Sequence, residues 1–225
     1  MSTRKAEISG ALQEVLQRIQ RACDLARRSV EEITLIAVTK TFPASDVEIL
    51  YELGLRNFGE NRDQEASLKA PLLPDDAIWH FQGQIQSNKL KSIATWSDVI
   101  HSIDQLSHAE KLNSLTSKKD IFIQVGLDQS ENRGGVAPEN LANLANLVDS
   151  INSLSNLNIL GLMAVAPLGQ EPELAFKRLN EISKKLLTTH PEMAAISAGM
   201  SNDFEAAIAH GATHIRIGSQ ILGVR

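Results

Sequence analysis

Apolar residues fall at Ile8, Leu12, Val15, Leu16, Ile19, Ala22 and Leu25, steps of three and four that draw one apolar stripe with Arg, Gln and Glu opposite. The spacing predicts a helix over about residues 4–29 that covers another layer. The period then changes. Residues 33–39 are short, rich in β-branched side chains and apolar on both faces, the mark of a buried parallel strand that ends at Lys40. Ser45 and Glu48 have the spacing of a capping box for a helix running to Leu53, with Gly54 as its stop. Further strands are predicted at 56–58, 77–81, 98–102, 120–125, 159–165, 193–198 and 213–217, with helical patterns between them, one of them within 141–157. Segments 46–60 and 203–218 echo each other, each running helix, glycine stop, short strand.

Eight βα units in 225 residues fit a single α/β domain, a small (β/α)8 TIM barrel spanning 1–225 with the N-terminal helix packed on it. An open doubly wound sheet is the alternative. A hydrophobic fraction of 43% and a charged fraction of 22% are ordinary for one globular core. The net charge of -5 leaves no basic surplus for a nucleic-acid backbone or an anionic membrane surface, so neither is an expected partner. The longest apolar stretch, 159–168, is too short for a bilayer, which takes about 20 helical residues. The N-terminus has no apolar secretory segment, and the single cysteine, Cys23, sits in the apolar stripe as core filler. A cytoplasmic protein is the expectation.

Barrel chemistry belongs at the C-terminal ends of the strands, with phosphate held after strands seven and eight. Period-two alternation puts Lys40 on the face of Ile36 and Val38, turned into the barrel mouth, while Leu35, Ala37 and Thr39 point the other way. The plain alternative is a lysine leaving its strand for solvent. After strand seven, Gly199-Met200-Ser201-Asn202-Asp203 is a small-residue turn, with Asn202 and Glu205 as cap partners for the next helix. After strand eight, Gly218 lets the backbone approach a ligand and Ser219 adds a hydroxyl at a helix start. Arg216 shares the inward face with His214, whereas Ile215 and Ile217 face the helices. His210 and His214 straddle Gly211, so one helical face cannot present both to a metal, and no metal is expected.

The ordered series Ala37-Val38-Thr39-Lys40, Phe58-Gly59-Glu60-Asn61, Trp79-His80-Phe81, Gln86-Ser87-Asn88-Lys89, Gly161-Leu162-Met163-Ala164, Gly199-Met200-Ser201 and Arg216-Ile217-Gly218-Ser219 resembles the pyridoxal phosphate homeostasis protein family. The likeness runs over 33–225, and that family is similar in fold to the barrel domain of alanine racemase. The resemblance implies pyridoxal 5'-phosphate (PLP) carried as a Schiff base on Lys40, with Ser201, Gly218 and Ser219 on its phosphate. It also implies Arg216 facing the pyridine nitrogen, and Asn61, His80, Met163 and Ser197 completing the binding set. It further implies a monomer that keeps PLP available to apo-enzymes and has no catalytic residue of its own. The chain departs from the family pattern at Gln82, Gln84, Ala198 and the turn Asn132-Arg133-Gly134-Gly135.

A free lysine is neutral about 4 times in 10,000 at pH 7. Phosphate anchoring beside it can supply effective molarities on the order of 10⁵ M, which makes phosphate binding the enabling step. Racemases on this barrel take a tyrosine from a further β domain. Here the sequence ends soon after strand eight and the only tyrosine, Tyr51, lies in a helix pattern, so a carrier is the first expectation. Two alternatives stay open: a weak PLP racemase or transaminase using His80, and a cofactor-free Schiff-base aldolase.

Overall fold

The structure, a computed structural model, describes residues 3–127, 134–137 and 141–224. Eight parallel strands close in sequence order: β1 (Thr34–Val38), β2 (Asn57–Glu60), β3 (Ile78–Phe81), β4 (Val99–Ile103), β5 (Lys119–Gln124), β6 (Leu157–Met163), β7 (Ala195–Ser197) and β8 (His214–Ile217). The first and last strands pair through Thr34 with His214 and Ala37 with Ile217, so the sheet has no edge, and the doubly wound alternative falls. Around it lie α2 (Ala44–Glu52), α3 (Asp63–Lys69), α4 (Leu90–Trp96), α5 (Leu106–Leu115), α6 (Leu141–Asn152), α7 (Pro172–Leu187), α8 (Phe204–Ala209) and the short α9 (Ser219–Leu222). Asn132 and Arg133 of the expected glycine-rich turn lie outside the described residues.

The N-terminal helix, α1 (Thr3–Ala26), ends earlier than its pattern suggests. Arg27 takes φ 56 and the Arg28 N–H donates to the Cys23 carbonyl at 2.9 Å, the left-handed exit of a Schellman turn. Its buried stripe, Ile8, Leu12, Val15, Ile19, Ala22 and Cys23, packs on α2, α8 and α9. Basic side chains fasten the flanks. Arg4 reaches Asp46 at 2.6 Å and the Leu222 carbonyl at 2.9 Å, while Arg18 takes Glu205 at 2.7 Å with its guanidinium over Phe204.

Two expected caps are corrected. Pro43 is the N-cap of α2, so the helix begins at Ala44, ahead of Ser45, and no capping side chain bonds there. Asp203, not Asn202, is the N-cap of α8, and Glu205 is engaged by Arg18. A complete capping box forms instead at Ser29 and Glu32. Strand two also runs beyond its expected end, because Gly59 and Glu60 pair with His80 and Phe81 of β3.

The main core fills the layer between sheet and helices, and a smaller cluster of Val99, Phe122 and Met163 lies apart from it. A close approach of strands occurs at Gly161, where an added Cβ would run into the backbone carbonyl of Ala195. Gly161→Ala should therefore cost roughly 1–3 kcal/mol, since backbone cannot yield as a flexible side chain does. Gly10 lies exposed in α1 with open space around it. Gly10→Ala should stabilise by about 0.5–1 kcal/mol from helix propensity alone. Urea denaturation of the two variants checks the opposite signs.

Candidate functional site

The C-terminal ends of the strands open into a cavity of about 550 Å³ lined by Lys40, Asn61, Gln82, Met163, Ser201, Arg216, Gly218 and Ser219, among others. Seven of the expected binding residues thus meet on one wall system; Gln82 joins them. Lys40 lies two residues beyond the end of β1, is exposed and lines this cavity.

One side of the cavity is built from small residues. Gly199 sits at φ 93, and a Cβ there would come within 2.8 Å of the Phe204 Cα, so only glycine lets α8 tuck beneath the turn. At Gly218 a Cβ would meet the Val38 carbonyl oxygen at 3.0 Å. The hydroxyls of Ser219 and Ser201 converge at 3.1 Å. Asp203 accepts the Met200 N–H at 2.6 Å, which shapes the turn; burial raises its carboxyl against that bond and the nearby Arg216.

The floor is polar and closed. Arg216, 5% exposed, donates to the Ser197 hydroxyl at 2.7 Å and to the Ala164 carbonyl at 3.0 Å. Ser197 meets His101 Nδ1 at 2.8 Å, His101 Nε2 meets His80 Nδ1 at 2.9 Å, and His80 Nε2 meets Asn57 Oδ1 at 2.9 Å. His80 and Ser197, expected among the binding residues, are therefore beneath the cavity and do not line it. Burial, and then the neighbouring His214, pull the His80 imidazole down to about 3; burial and the Arg216 charge pull His214 to about 4. His101, fully buried against His80 and Arg216, is held well below the usual range for the same first reason. Burial also lowers the Arg216 guanidinium to about 10, still charged at neutral pH.

Sequence reading missed His101. Its one signal was period-two alternation in β4, which puts it on the same face as Val99. It also missed the buried pair behind Lys40, where Lys69 Nζ lies 2.8 Å from Glu60 Oε1. Burial raises the Glu60 carboxyl, partly offset by bonds from Lys69 and Thr39.

The model of the alanine racemase N-terminal domain family matches residues 15–225. A pyridoxal phosphate homeostasis protein of Mycobacterium leprae is 37% identical over 240 residues, covering 98% of this chain and 93% of its own. The chain belongs to the pyridoxal phosphate homeostasis protein family. Among solved structures, a Bifidobacterium adolescentis protein superimposes with a TM-score of 0.91 at 27% identity, covering 98% of this chain and 96% of its own. PipY of Synechococcus elongatus, solved with PLP bound, gives a TM-score of 0.79 at 32% identity, covering 92% of this chain and all of its own. The homeostasis-family relatives are not named as enzymes, although the matching domain family takes its name from one.

In this member of the homeostasis family, the neutral floor histidines tie stability to pH. Unfolded, each imidazole takes a proton near 6.5; folded, His214 does so only at about 4 and His80 at about 3. The unfolded chain therefore binds more protons throughout that window. The stability is complete above pH 6.5 and falls as pH drops toward 4, by up to about 1.4 kcal/mol per pH unit for each histidine. Thermal midpoints measured from about pH 7.5 down to about pH 4.5 should decline steadily below pH 6.5; a flat profile would mean the three rings are charged in the fold.

Proposed function

We propose that this chain, over 1–225 as one barrel domain, binds PLP in the cavity at the strand ends and holds it for supply rather than for turnover. The observation that carries the reading is the convergence of an exposed lysine, two facing hydroxyls at a glycine-lined turn, and a buried arginine on one cavity. A volume of about 550 Å³ lies within the range of small-molecule sites. Two buried amide atoms without a partner among the described residues, Asn61 Oδ1 and Gln82 Nε2, belong to residues on the same wall. Polar atoms left so are costly unless a ligand meets them.

On this reading Lys40 is the covalent anchor, and Ser201, Ser219 and the backbone beside Gly218 take the phosphate. Arg216 has donors left beyond those spent on Ser197 and Ala164, and would face the pyridine nitrogen. Its positive charge would keep that nitrogen unprotonated. Asn61 and Met163 would line the cofactor's pocket, and Ser197 and His80 would act from beneath, through the bonds that hold Arg216. Bound PLP supplies an aldehyde and an electron-withdrawing ring; an unprotonated ring withdraws electrons less, which suits a carrier. His80, the acid–base group a racemase reading would use, is neutral and below the floor. Tyr51 bonds Asp76 and does not line the cavity. The open mouth lets amines reach Lys40, so a cytoplasmic monomer can pass PLP to apo-enzymes.

Added PLP should give a yellow absorption band, and borohydride should fix the cofactor mass on the Lys40 peptide. Lys40→Ala should lose both, and Gly218→Val, which crowds the Val38 carbonyl, should weaken binding at least about tenfold, or about 1.4 kcal/mol. Steady racemisation or transamination of amino acids by the loaded protein would overturn the carrier reading. A colourless protein without adduct would overturn PLP binding itself.

A further inference from the structure

Lys40 occupies the second position of a four-residue turn. The Phe42 N–H donates to the Thr39 carbonyl at 3.1 Å, and Thr41, third in the turn, has φ 69. A positive φ at that position is the requirement of a type II turn, normally met by glycine. A β-branched residue there is an outlier that persists only where its surroundings hold it.

One helix behind the turn holds it. Glu65 of α3 accepts the Thr41 N–H at 2.7 Å. Lys69, at the other end of α3, donates to the Thr39 carbonyl at 2.9 Å. The Lys69 charge is balanced by Glu60 at 2.8 Å, and the same Glu60 oxygen accepts the Thr39 hydroxyl at 2.7 Å. Both chain neighbours of Lys40 are therefore tied to the helix side, while Lys40 itself lines the cavity. The Thr41 bond is the main reason the Glu65 carboxyl is held below its ordinary range, so the acceptor stays charged.

We propose that Glu65 and Lys69 are positioning residues for Lys40: α3 clamps a strained turn so that the lysine amine is presented to the cavity in one place. This rests on the reading of Lys40 as the PLP anchor, where the amine forms a bond to the aldehyde carbon and water leaves. Displacing a reacting group by about 1 Å can cost on the order of a hundredfold in rate. No residue of the clamp needs to touch the ligand.

The test uses the full chain and compares Glu65→Ala with Glu65→Gln. The amide of Gln still offers an oxygen to the Thr41 N–H but gives up the ion pairs to Arg62 and Lys69. Borohydride-fixed PLP labelling of Lys40 is timed at low PLP, and amide hydrogen exchange of peptides covering 39–42 is followed without PLP. In Glu65→Ala, labelling should slow by roughly ten- to a hundredfold and Thr41 should exchange faster, with Glu65→Gln restoring most of both. Unchanged labelling in Glu65→Ala overturns the proposal. So does equal slowing in both variants with a matching loss of thermal midpoint, which is a structural role only. If the unmutated protein takes no label on Lys40, it is the PLP reading that fails, whatever the exchange of Thr41 shows.

Discussion

A guanidinium buried inside a closed barrel can only be kept there by acceptors, and this constraint organises the interior of the protein. Arginine donates and never accepts. Arg216 therefore donates a hydrogen bond to the Ser197 oxygen, which directs the Ser197 hydroxyl hydrogen to His101 Nδ1. His101 must then carry its proton on Nε2 and give it to His80 Nδ1, and His80 gives its own to Asn57 Oδ1. Every donor in the chain has one direction, from β8 through β7, β4 and β3 to β2. That polarity leaves both rings neutral, as burial beside a positive charge requires.

The relay bears on the cavity above it because Arg216 belongs to both. Two of its donors are fixed from below, at Ser197 and Ala164, which sets the plane of the guanidinium. No carboxylate lies within ion-pair distance of it among the described residues; Asp203 on the cavity wall acts on it from farther off and offsets part of its field there. A site with a fixed cation and facing hydroxyls suits an anionic ligand. Lys40 adds an exposed amine to the same cavity.

Much of this was legible in the sequence, for identifiable reasons. The switch from steps of three and four to short β-branched runs gave eight strands, and small residues after strands seven and eight marked the turns, because Gly199 and Gly218 lie where backbone and helix come too close for a Cβ. Caps were less legible. Ser45–Glu48 and Ser29–Glu32 have the same spacing, yet only the second forms a box, because Pro43 starts α2 one residue ahead of Ser45. His101 was hidden because one polar residue inside an apolar strand looks the same whether it ends a hydrogen-bond chain or merely fills space. The Glu60–Lys69 pair was hidden because its partners are nine residues apart across β2 and α3, a distance that no local period reports.

Strand alternation explains why the two polar systems do not compete. Asn57 of β2 points inward to His80, so Glu60, three residues on, points outward to Lys69. The same division places Ile36 and Arg216, paired across β1 and β8, on the inner side of the sheet, and Thr39 on the helix side. Lys40 stands where the strand gives out and the two systems meet: its neighbours are bonded outward to α3, and its side chain opens on the cavity whose floor is Arg216. The cavity therefore has a closed side, with the buried Arg216 at its floor, and an open side at the exposed Lys40. The two sides of one cavity are thereby held by different bonds, the closed side by those inside the sheet and the open side by those to α3.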